Sequence, residues 1–317
     1  MKGAGKDILF GIAVGEAIGL PFESSQRSEY LNESVTAYAA TIGVPSGIWS
    51  HSSALTFCMA ESVIDGYDLE RTATNFIMWK NESSKQTKGY LFDPNNPTVK
   101  AIDKLEKLLH YSLENKSSCS YNSFFDNSNG SLMRILPLLY LIRNKPIRVQ
   151  FDITWDYSAL THGHIRAAMC CMIYLKMAEY LLNGHEKSEA YQQTRQDISG
   201  LWDKINYETL EAHYLKKVIL SDIQHCSIDA IRSGEYVVEA LEASLWCLLK
   251  TDSYKDAVLQ SIYLGGKTGT IGAITGGLAG LYYGYASIPD QWTQRLSKRN
   301  YIIDLATRLD AAYAFTS

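Results

Sequence analysis

The sequence lacks the features that would direct a chain to membranes or to nucleic acid. No apolar run reaches the roughly 20 residues that a membrane-spanning helix requires. Among its 317 residues, 30 Lys and Arg stand against 34 Asp and Glu, which gives a formal net charge of -4. Without a basic excess, the chain lacks the electrostatic footprint of proteins that bind nucleic acid regardless of sequence. We therefore expect neither a membrane nor a nucleic acid among its partners.

Cys-x-x-Cys pairs are also absent, and no Ala-x-Ala cleavage site follows the N-terminal residues. The six cysteines lie mostly inside apolar helical stretches, where a free thiol behaves as a small buried hydrophobe. Unpaired thiols are typical of a reducing compartment, and the missing cleavage site argues against secretion. The sequence therefore predicts a cytoplasmic protein.

Alternating β-patterns joined by tight hairpin turns are missing as well, whereas apolar residues recur at helical spacing along most of the chain. We predict an all-α fold, a single compact domain over residues 1–317 with about a dozen helices. Two segments rich in turn formers, 84–97 and 114–130, interrupt the helical pattern. The predicted helices are a first one ending near 19–21, a second from 55 to about 66, and others at 70–82, 97–113, 131–143, 163–183, 188–204, 209–220, 235–250, 254–264, 270–286 and 299–314.

Glycines recur every four residues in two of these helices. Gly11, Gly15 and Gly19 share one face of the first helix, and the series around Gly272 and Gly276 does the same near the C-terminus. Glycine in a helix interior costs about 1 kcal/mol relative to alanine, so this spacing indicates that another backbone approaches closely. The pattern predicts a tightly packed, buried pair of helices.

Three polar segments precede apolar helices, and each has a structural and a functional interpretation. Residues 50–53 either cap a helix or direct its N-terminus at an anion. Residues 127–131 form a glycine-containing turn whose backbone donors suit a phosphate, a weaker signal than a P-loop. Residues 264–270 include Gly-Lys-Thr, but the required earlier glycine and a preceding strand are missing, which excludes a Walker A motif.

Two further motifs carry histidine or an aromatic side chain. His162 and His164 form a His-x-His pair, but no Cys, Asp or Glu at suitable spacing completes a tetrahedral zinc site, so capping and packing roles are favoured. Residues 233–238 form a glycine turn that carries Tyr236, which either stacks on a base or belongs to the core.

Taken in order, these segments resemble the ADP-ribosylglycohydrolase family, of the dinitrogenase-reductase-activating type, over nearly the whole chain. The first helix reads GIAVGEAIGLPFE at 11–23, and the glycine-containing turn reads SNGSLMRILP at 128–137. Later segments match at 160–164, at 234–238 and at 271–284, where the sequence is IGAITGGLAGLYYG. The resemblance implies an all-helical domain with a cleft that binds ADP-ribose.

In active members of that family, two Mg²⁺ ions lie in the cleft and help to cleave the glycosidic bond between ADP-ribose and a protein side chain. The resemblance implies that they are held by a Thr-Asp-Asp or Ser-Asp-Asp set and by an Asp-x-Asp-Thr set. Such hard oxygen ligands suit Mg²⁺, and paired metals orient substrate and water.

This chain departs from the family at those positions. The first set reads Ser50, His51, Ser52, and the second reads Lys267, Thr268, Gly269, Thr270. Four aspartates, with a formal charge of -4, are replaced by three neutral residues and one lysine, with a charge of +1. An ammonium repels Mg²⁺, and neutral hydroxyls do not offset its dehydration, so we expect no metal and no other cofactor.

Three hypotheses follow from this departure. The first is a pseudoenzyme that binds ADP-ribose or a protein that is ADP-ribosylated or ADP-ribosylating, in a regulatory or an immunity-type role. The second is a hydrolase that works without the metal pair, with Glu23 as general acid or base and Lys267 as the positive charge. The third is a helical interaction scaffold with a vestigial cleft. We lean towards the non-enzymatic interpretation.

The resemblance assigns the remaining site residues. The residues expected to contact the ligand are Asn129, Gly130, Ser131, His162, Gly234, Glu235, Tyr236 and Thr268. The residues expected to line the place of the lost metals, here called the floor residues, are Ser50, His51, Ser52, Lys267, Gly269 and Thr270. Glu23 is catalytic only if the chain is active.

Overall fold

The computed structural model describes residues 3–27, 47–85, 96–115, 127–205 and 209–314. Across these ranges the backbone forms helices, and the only extended pairing in them is an isolated bridge between Ser128 and Tyr236. The all-α prediction is confirmed. The helices, numbered α1 to α15, span Gly5–Gly19, His51–Val63, Leu69–Lys85, Pro97–Asn115, Leu139–Ile142, Ile147–Ala159, Ile165–Leu182, Lys187–Ile205, Thr209–Tyr214, Lys216–Ile219, Val237–Lys250, Tyr254–Tyr263, Thr268–Tyr283, Asp290–Arg295 and Arg299–Ala312.

The prediction of one helix over 131–143 was wrong. The segment forms two 3-10 turns, Leu132–Arg134 and Leu136–Leu138, before the short helix α5. Pro137 lies in the middle of it, and proline lacks the N–H that a continuous α-helix needs and disfavours helical backbone in the preceding residue.

Helices α6 and α14 were missed by the sequence analysis, and the predicted helix 209–220 is divided into α9 and α10. The buried face of α6 explains its omission, because half of that face is polar and the apolar period is weak. Its buried residues are Gln150, Phe151, Thr154, Tyr157, Ser158 and Ala159. Most of the two predicted turn-rich breaks lies outside the described residues.

Helices α1 and α13 cross antiparallel in the centre of the core, with backbone against backbone. A Cβ atom at Gly11 would lie 2.3 Å from the carbonyl oxygen of Gly276, and one at Gly15 would lie 2.1 Å from that of Gly272. Both helices are buried around nearly their whole circumference. The glycine spacing therefore serves the close helix pair that the sequence predicts.

This crossing places three helix ends at one point. The C-terminus of α1 at Gly19 meets the N-terminus of α13, since a Cβ atom at Gly19 would lie 2.3 Å from the Thr268 carbonyl oxygen. The N-terminus of α2 packs against the last turn of α1 through Glu16. In the part of the chain that the structure describes, no helix has the length and apolarity needed to cross a membrane.

Candidate functional site

A cleft of about 30 Å³ opens where these three helix ends meet. A single water molecule needs about 10–15 Å³, so the space between the lining side chains corresponds to a few water molecules. The cleft is lined by Glu23, His51, Asn96, Pro97, Thr98, Ser128, Asn129, Glu235, Lys267 and Thr270.

A buried carboxylate, Glu16, holds the N-terminus of α2. It is 1% exposed, and its two oxygens accept hydrogen bonds from the backbone N–H groups of Ser52 at 3.1 Å and Ser53 at 2.9 Å. The hydroxyls of Ser50 and Ser53 donate to it at 2.6 Å and 2.5 Å. A carboxylate at this position also complements the positive end of the helix dipole.

The structure therefore corrects the interpretation of residues 50–53 as a self-capping or anion-binding segment. Ser50 makes no side-chain cap hydrogen bond to its own helix. Its hydroxyl instead turns towards Glu16, because a charged acceptor forms stronger hydrogen bonds than a neutral one. Since Glu16 occupies this N-terminus, no external anion is needed there.

A second carboxylate, Glu23, holds the N-terminus of α13 in the same manner. Its Oε2 accepts a hydrogen bond of 3.0 Å from the backbone N–H of Gly269, and its Oε1 lies 3.7 Å from Nζ of Lys267. Desolvation raises the pKa of the Glu23 carboxyl, while the Gly269 hydrogen bond and the charge of Lys267 lower it by less. Both oxygens of Glu23 thus face a partner within the protein.

The Lys267 ammonium lies between two carboxylates. Its Nζ is 2.6 Å from Oε1 of Glu235, in addition to its 3.7 Å approach to Glu23, and the lysine side chain is 33% exposed. Burial lowers the pKa of Lys267, but the hydrogen bond to Glu235 and the two negative charges outweigh it and raise the pKa above the ordinary lysine value. The ammonium is therefore protonated at neutral pH.

A tight glycine turn delivers Lys267 to this position. Gly265 and Gly266 both have φ of +72°, a conformation that side chains with a Cβ rarely adopt. A Cβ at Gly266 would also lie 2.5 Å from the carbonyl oxygen of Ser233, which accepts the backbone N–H of Lys267 at 2.9 Å. The Gly-Lys-Thr run thus serves chain reversal and loop contact.

The structure brings together the two loops that were predicted to bind the ligand. The backbone N–H of Asn129 donates to the carbonyl oxygen of Glu235 at 2.8 Å, and that of Val237 donates to Asn127 at 3.0 Å. The Asn129 side-chain amide also reaches the carbonyl of Gly234 at 3.4 Å. These bonds fix Asn129 and Glu235 side by side at the cleft.

Comparison with known proteins shows the family of the chain. A family model described as ADP-ribosylglycohydrolase matches residues 5–316, nearly the whole chain. The chain belongs to the ADP-ribosylglycohydrolase family. The resemblance drawn from the sequence is confirmed.

Three relatives illustrate the relationship. The chain is 27% identical over 308 residues to the ADP-ribosylarginine hydrolase Tri1 of Serratia proteamaculans, covering 96% of this chain and 78% of that protein. It is 21% identical over 299 residues to the ADP-ribosyl-[dinitrogen reductase] glycohydrolase of Rhodospirillum rubrum, covering 91% and 88%. A solved structure of an ADP-ribosylglycohydrolase-related protein complex has the same fold, with a TM-score of 0.75, 21% identity and coverage of 99% and 100%.

The floor residues of this family member do not fit a pair of Mg²⁺ ions. Magnesium binds through carboxylates and keeps near-octahedral oxygen coordination. Here the Ser50 hydroxyl donates a hydrogen bond to Glu16, and the Lys267 ammonium, in contact with Glu23 and Glu235, replaces an aspartate that the resemblance places there. Over the described residues, no group of three or more His, Cys, Asp or Glu side chains is arranged to hold an ion.

Three predicted ligand contacts lie below the cleft surface instead. His162 is fully buried, with its ring nitrogens 2.9 Å from Oγ of Ser128 and 2.7 Å from Oγ1 of Thr161. Thr268 is also fully buried, and its hydroxyl donates to the carbonyl of Gly19 at 2.8 Å. Ser131 is buried beside Cys171. Their geometry gives these side chains supporting positions under the lining residues.

Tyr236 lies at the far side of the paired loops, where its hydroxyl accepts a hydrogen bond of 2.9 Å from Arg166. The Arg166 guanidinium also stacks 3.6 Å above the Tyr214 ring and forms an ion pair with Glu211 at 2.7 Å. The hydrogen bond from Arg166 thus fixes the position of the Tyr236 hydroxyl. The predicted adenine contact of Tyr236 remains a prediction.

Sequence reasoning missed Glu16, Ser128 and the segment 96–98. Glu16 did carry a signal, because its neighbours in the helix from Ile8 to Gly19 are all apolar or glycine. Its function depends on α2, which lies 34 or more residues further along the chain, and no local pattern reports that contact.

Proposed function

We propose that this chain binds ADP-ribose, free or attached to a protein, in the cleft around Lys267, and that it does so without metal and without hydrolysis. The observation that carries the proposal is the Lys267 ammonium, held between Glu23 and Glu235 at the start of α13. The family resemblance gives this position to a metal-binding aspartate, and the lysine supplies positive charge there instead.

The Lys267 ammonium is the group in the cleft that supports an anionic ligand. A protonated, one-third exposed ammonium is a point charge that suits a diphosphate. Next to it, Asn129 lines the cleft, and its side-chain carbonyl oxygen is a neutral polar group that a nucleotide ribose can use. Asn129 is 9% exposed and held by its bonds to residues 234 and 235, so it is preorganised for a ligand.

The same contacts argue against hydrolysis. A general base works best when an oxygen is directed at a water or a leaving group, whereas Glu23 uses one oxygen to cap α13 and directs the other at Lys267. Two divalent ions also supply more positive charge at a glycosidic bond than one ammonium does. We therefore propose a pseudoenzyme.

Two relatives indicate the class of partner. Tri1 is named for ADP-ribosylarginine, and the Rhodospirillum protein is named for ADP-ribosylated dinitrogen reductase. We propose an ADP-ribosylated protein, with arginine as the modified side chain, as the binding partner of this chain in the cytoplasm. An ADP-ribosyltransferase that makes this modification is a second proposed partner, in a regulatory or an immunity-type role.

Replacing Lys267 tests the proposal. Lys267→Met is expected to weaken ADP-ribose binding about 10-fold or more, because it removes a charge-assisted hydrogen bond worth about 1.5–3 kcal/mol. Isothermal titration calorimetry measures the affinity. Lys255→Met, on the exposed face of α12, removes the same charge outside the cleft and is expected to leave the affinity unchanged. Equal affinities of the Lys267 variant and the wild type would sink the proposal.

The second candidate is metal-free hydrolysis through Glu23, and the raised pKa of its carboxyl favours it. A carboxyl group in its protonated form can donate a proton to a leaving group. This candidate predicts release of ADP-ribose from an ADP-ribosylarginine substrate in EDTA and its loss in Glu23→Gln, whereas the pseudoenzyme releases none in either protein. A vestigial cleft predicts no thermal shift with ADP-ribose.

A further inference from the structure

Glu235 differs from the other carboxylate that faces Lys267 in how freely it can move. Its backbone is fixed, since its carbonyl oxygen accepts the N–H of Asn129 at 2.8 Å. Its side chain is 53% exposed, and Lys267 at 2.6 Å is the partner that the structure gives to its carboxylate. Glu23, in contrast, is held by the Gly269 N–H.

The Glu235 carboxylate occupies the position that an anionic ligand would need. The ammonium of Lys267 has three donors, and its shortest contact in the cleft is the one to Glu235. The space left between the lining side chains is about 30 Å³, which corresponds to a few water molecules. A phosphate oxygen that takes the place of the Glu235 carboxylate on Lys267 requires the Glu235 side chain to rotate towards solvent.

We propose that Glu235 is an internal competitor for the anionic ligand of Lys267. In the unliganded cleft its carboxylate neutralises the ammonium and closes the space. A phosphate-bearing ligand displaces it, and Glu235 then swings outward on its fixed backbone. This inference rests on the proposed function for the identity of the ligand, but the contact between Glu235 and Lys267 can be tested with any phosphate.

Competition by Glu235 affects both the affinity of the cleft for anions and its selectivity among them. A ligand with a single negative charge gains little by exchanging one anion for another, whereas a diphosphate brings additional charge to the same ammonium. The exchange therefore selects for ligands with two linked phosphates over monoanions such as acetate or chloride.

Binding of ADP-ribose and of inorganic pyrophosphate to Glu235→Gln tests the inference. Both affinities are expected to rise about fivefold, since a partly exposed ion pair that opposes binding is removed. Asp229→Asn is the matched control. Asp229 is 91% exposed and pairs with Arg27 outside the cleft, so it reports the effect of one lost negative charge alone.

A double-mutant cycle with Lys267→Met separates direct competition from a general charge effect. In the Lys267→Met background, Glu235→Gln is expected to change pyrophosphate affinity no more than Asp229→Asn does. An undiminished fivefold gain in that background would overturn the inference, because Glu235 would then act without Lys267.

The reactivity of Lys267 keeps this inference distinguishable from the proposed function. Acetylation of Lys267 by acetic anhydride, followed by mass spectrometry, is expected to be faster in Glu235→Gln, and pyrophosphate is expected to protect it. An unchanged acetylation rate in Glu235→Gln would overturn the proposal that Glu235 competes for Lys267. Protection by pyrophosphate but not by ADP-ribose would contradict ADP-ribose as the ligand. It would not contradict competition between Glu235 and a phosphate for Lys267.

Discussion

The fourfold variant His51→Asp, Ser52→Asp, Lys267→Asp, Gly269→Asp is expected to depend on Mg²⁺ for its stability. Without the ion, its added carboxylates lie near Glu16 and Glu23, and the one at position 52 is fully buried. An unpaired buried charge destabilises a protein by about 3–5 kcal/mol, so we expect a loss of at least about 3 kcal/mol in EDTA. Saturating Mg²⁺ at 100 times its Kd restores about 2.7 kcal/mol.

At Gly269 an added Cβ atom meets only a flexible side-chain end and an ordinary backbone contact. A Cβ atom at Gly269 would lie 3.3 Å from Oε2 of Glu23, the end of a flexible side chain, and 3.5 Å from Cα of Leu20. Ser50 and Thr270 keep oxygens at the edges of the set. The variant therefore tests whether the four substitutions alone removed the metal site.

Thermal unfolding in EDTA and in Mg²⁺ measures the effect. The matched control places asparagine at the same four positions, as His51→Asn, Ser52→Asn, Lys267→Asn and Gly269→Asn, which keeps the volume and omits the charge. For the control, the unfolding temperature in EDTA is expected to equal that in Mg²⁺. The same is expected for the wild type. If Mg²⁺ did not change the unfolding temperature of the fourfold aspartate variant, the remaining residues would no longer support binding of the ion.

Gly15→Ala is expected to destabilise the fold by about 3 kcal/mol or more. The added Cβ would lie 2.1 Å from the carbonyl oxygen of Gly272, and both atoms belong to backbones in the centre of the core. Neither helix can yield without separating α1 from α13, and overpacking of a core costs about 1–3 kcal/mol even where side chains can adjust. Urea unfolding followed by circular dichroism measures the loss.

Gly200→Ala is the matched control for that substitution. Gly200 lies within α8, and nothing stands within 4 Å of the position that its Cβ would take. Alanine there is expected to stabilise the chain by about 0.5–1 kcal/mol, because it improves helix propensity without a clash. If both variants lost stability equally, close approach of α1 and α13 would not be the reason for the glycine spacing.

The sequence predicted those parts of the fold in which apolar residues or glycines recur at helical spacing. The glycines at 11 and 15 predict the α1–α13 pair because a four-residue spacing marks one helix face. Helix α6 was missed because tertiary contacts bury Gln150 and Thr154 on it, and a polar buried face has no apolar period. Pro137 divides a segment whose apolar residues alone resemble one helix.

The candidate site was also predictable only where local sequence motifs report it. The replaced aspartates at Lys267 and His51 are visible in the sequence, because they stand at fixed positions in recognisable motifs. The pairing of Lys267 with Glu235 is set by loops 32 residues apart, and the capping by Glu16 joins α1 to α2. Such contacts depend on the assembled helices, so the sequence indicated which residues had changed but not what their replacements contact.

Titration of the wild-type protein with ADP-ribose in EDTA and again in Mg²⁺ tests the central claim most directly. If the Lys267 ammonium replaces the metal ions as the positive charge for the ligand, the affinity is the same in both buffers and the ligand is recovered unchanged. Binding that appears only when Mg²⁺ is present would contradict the account.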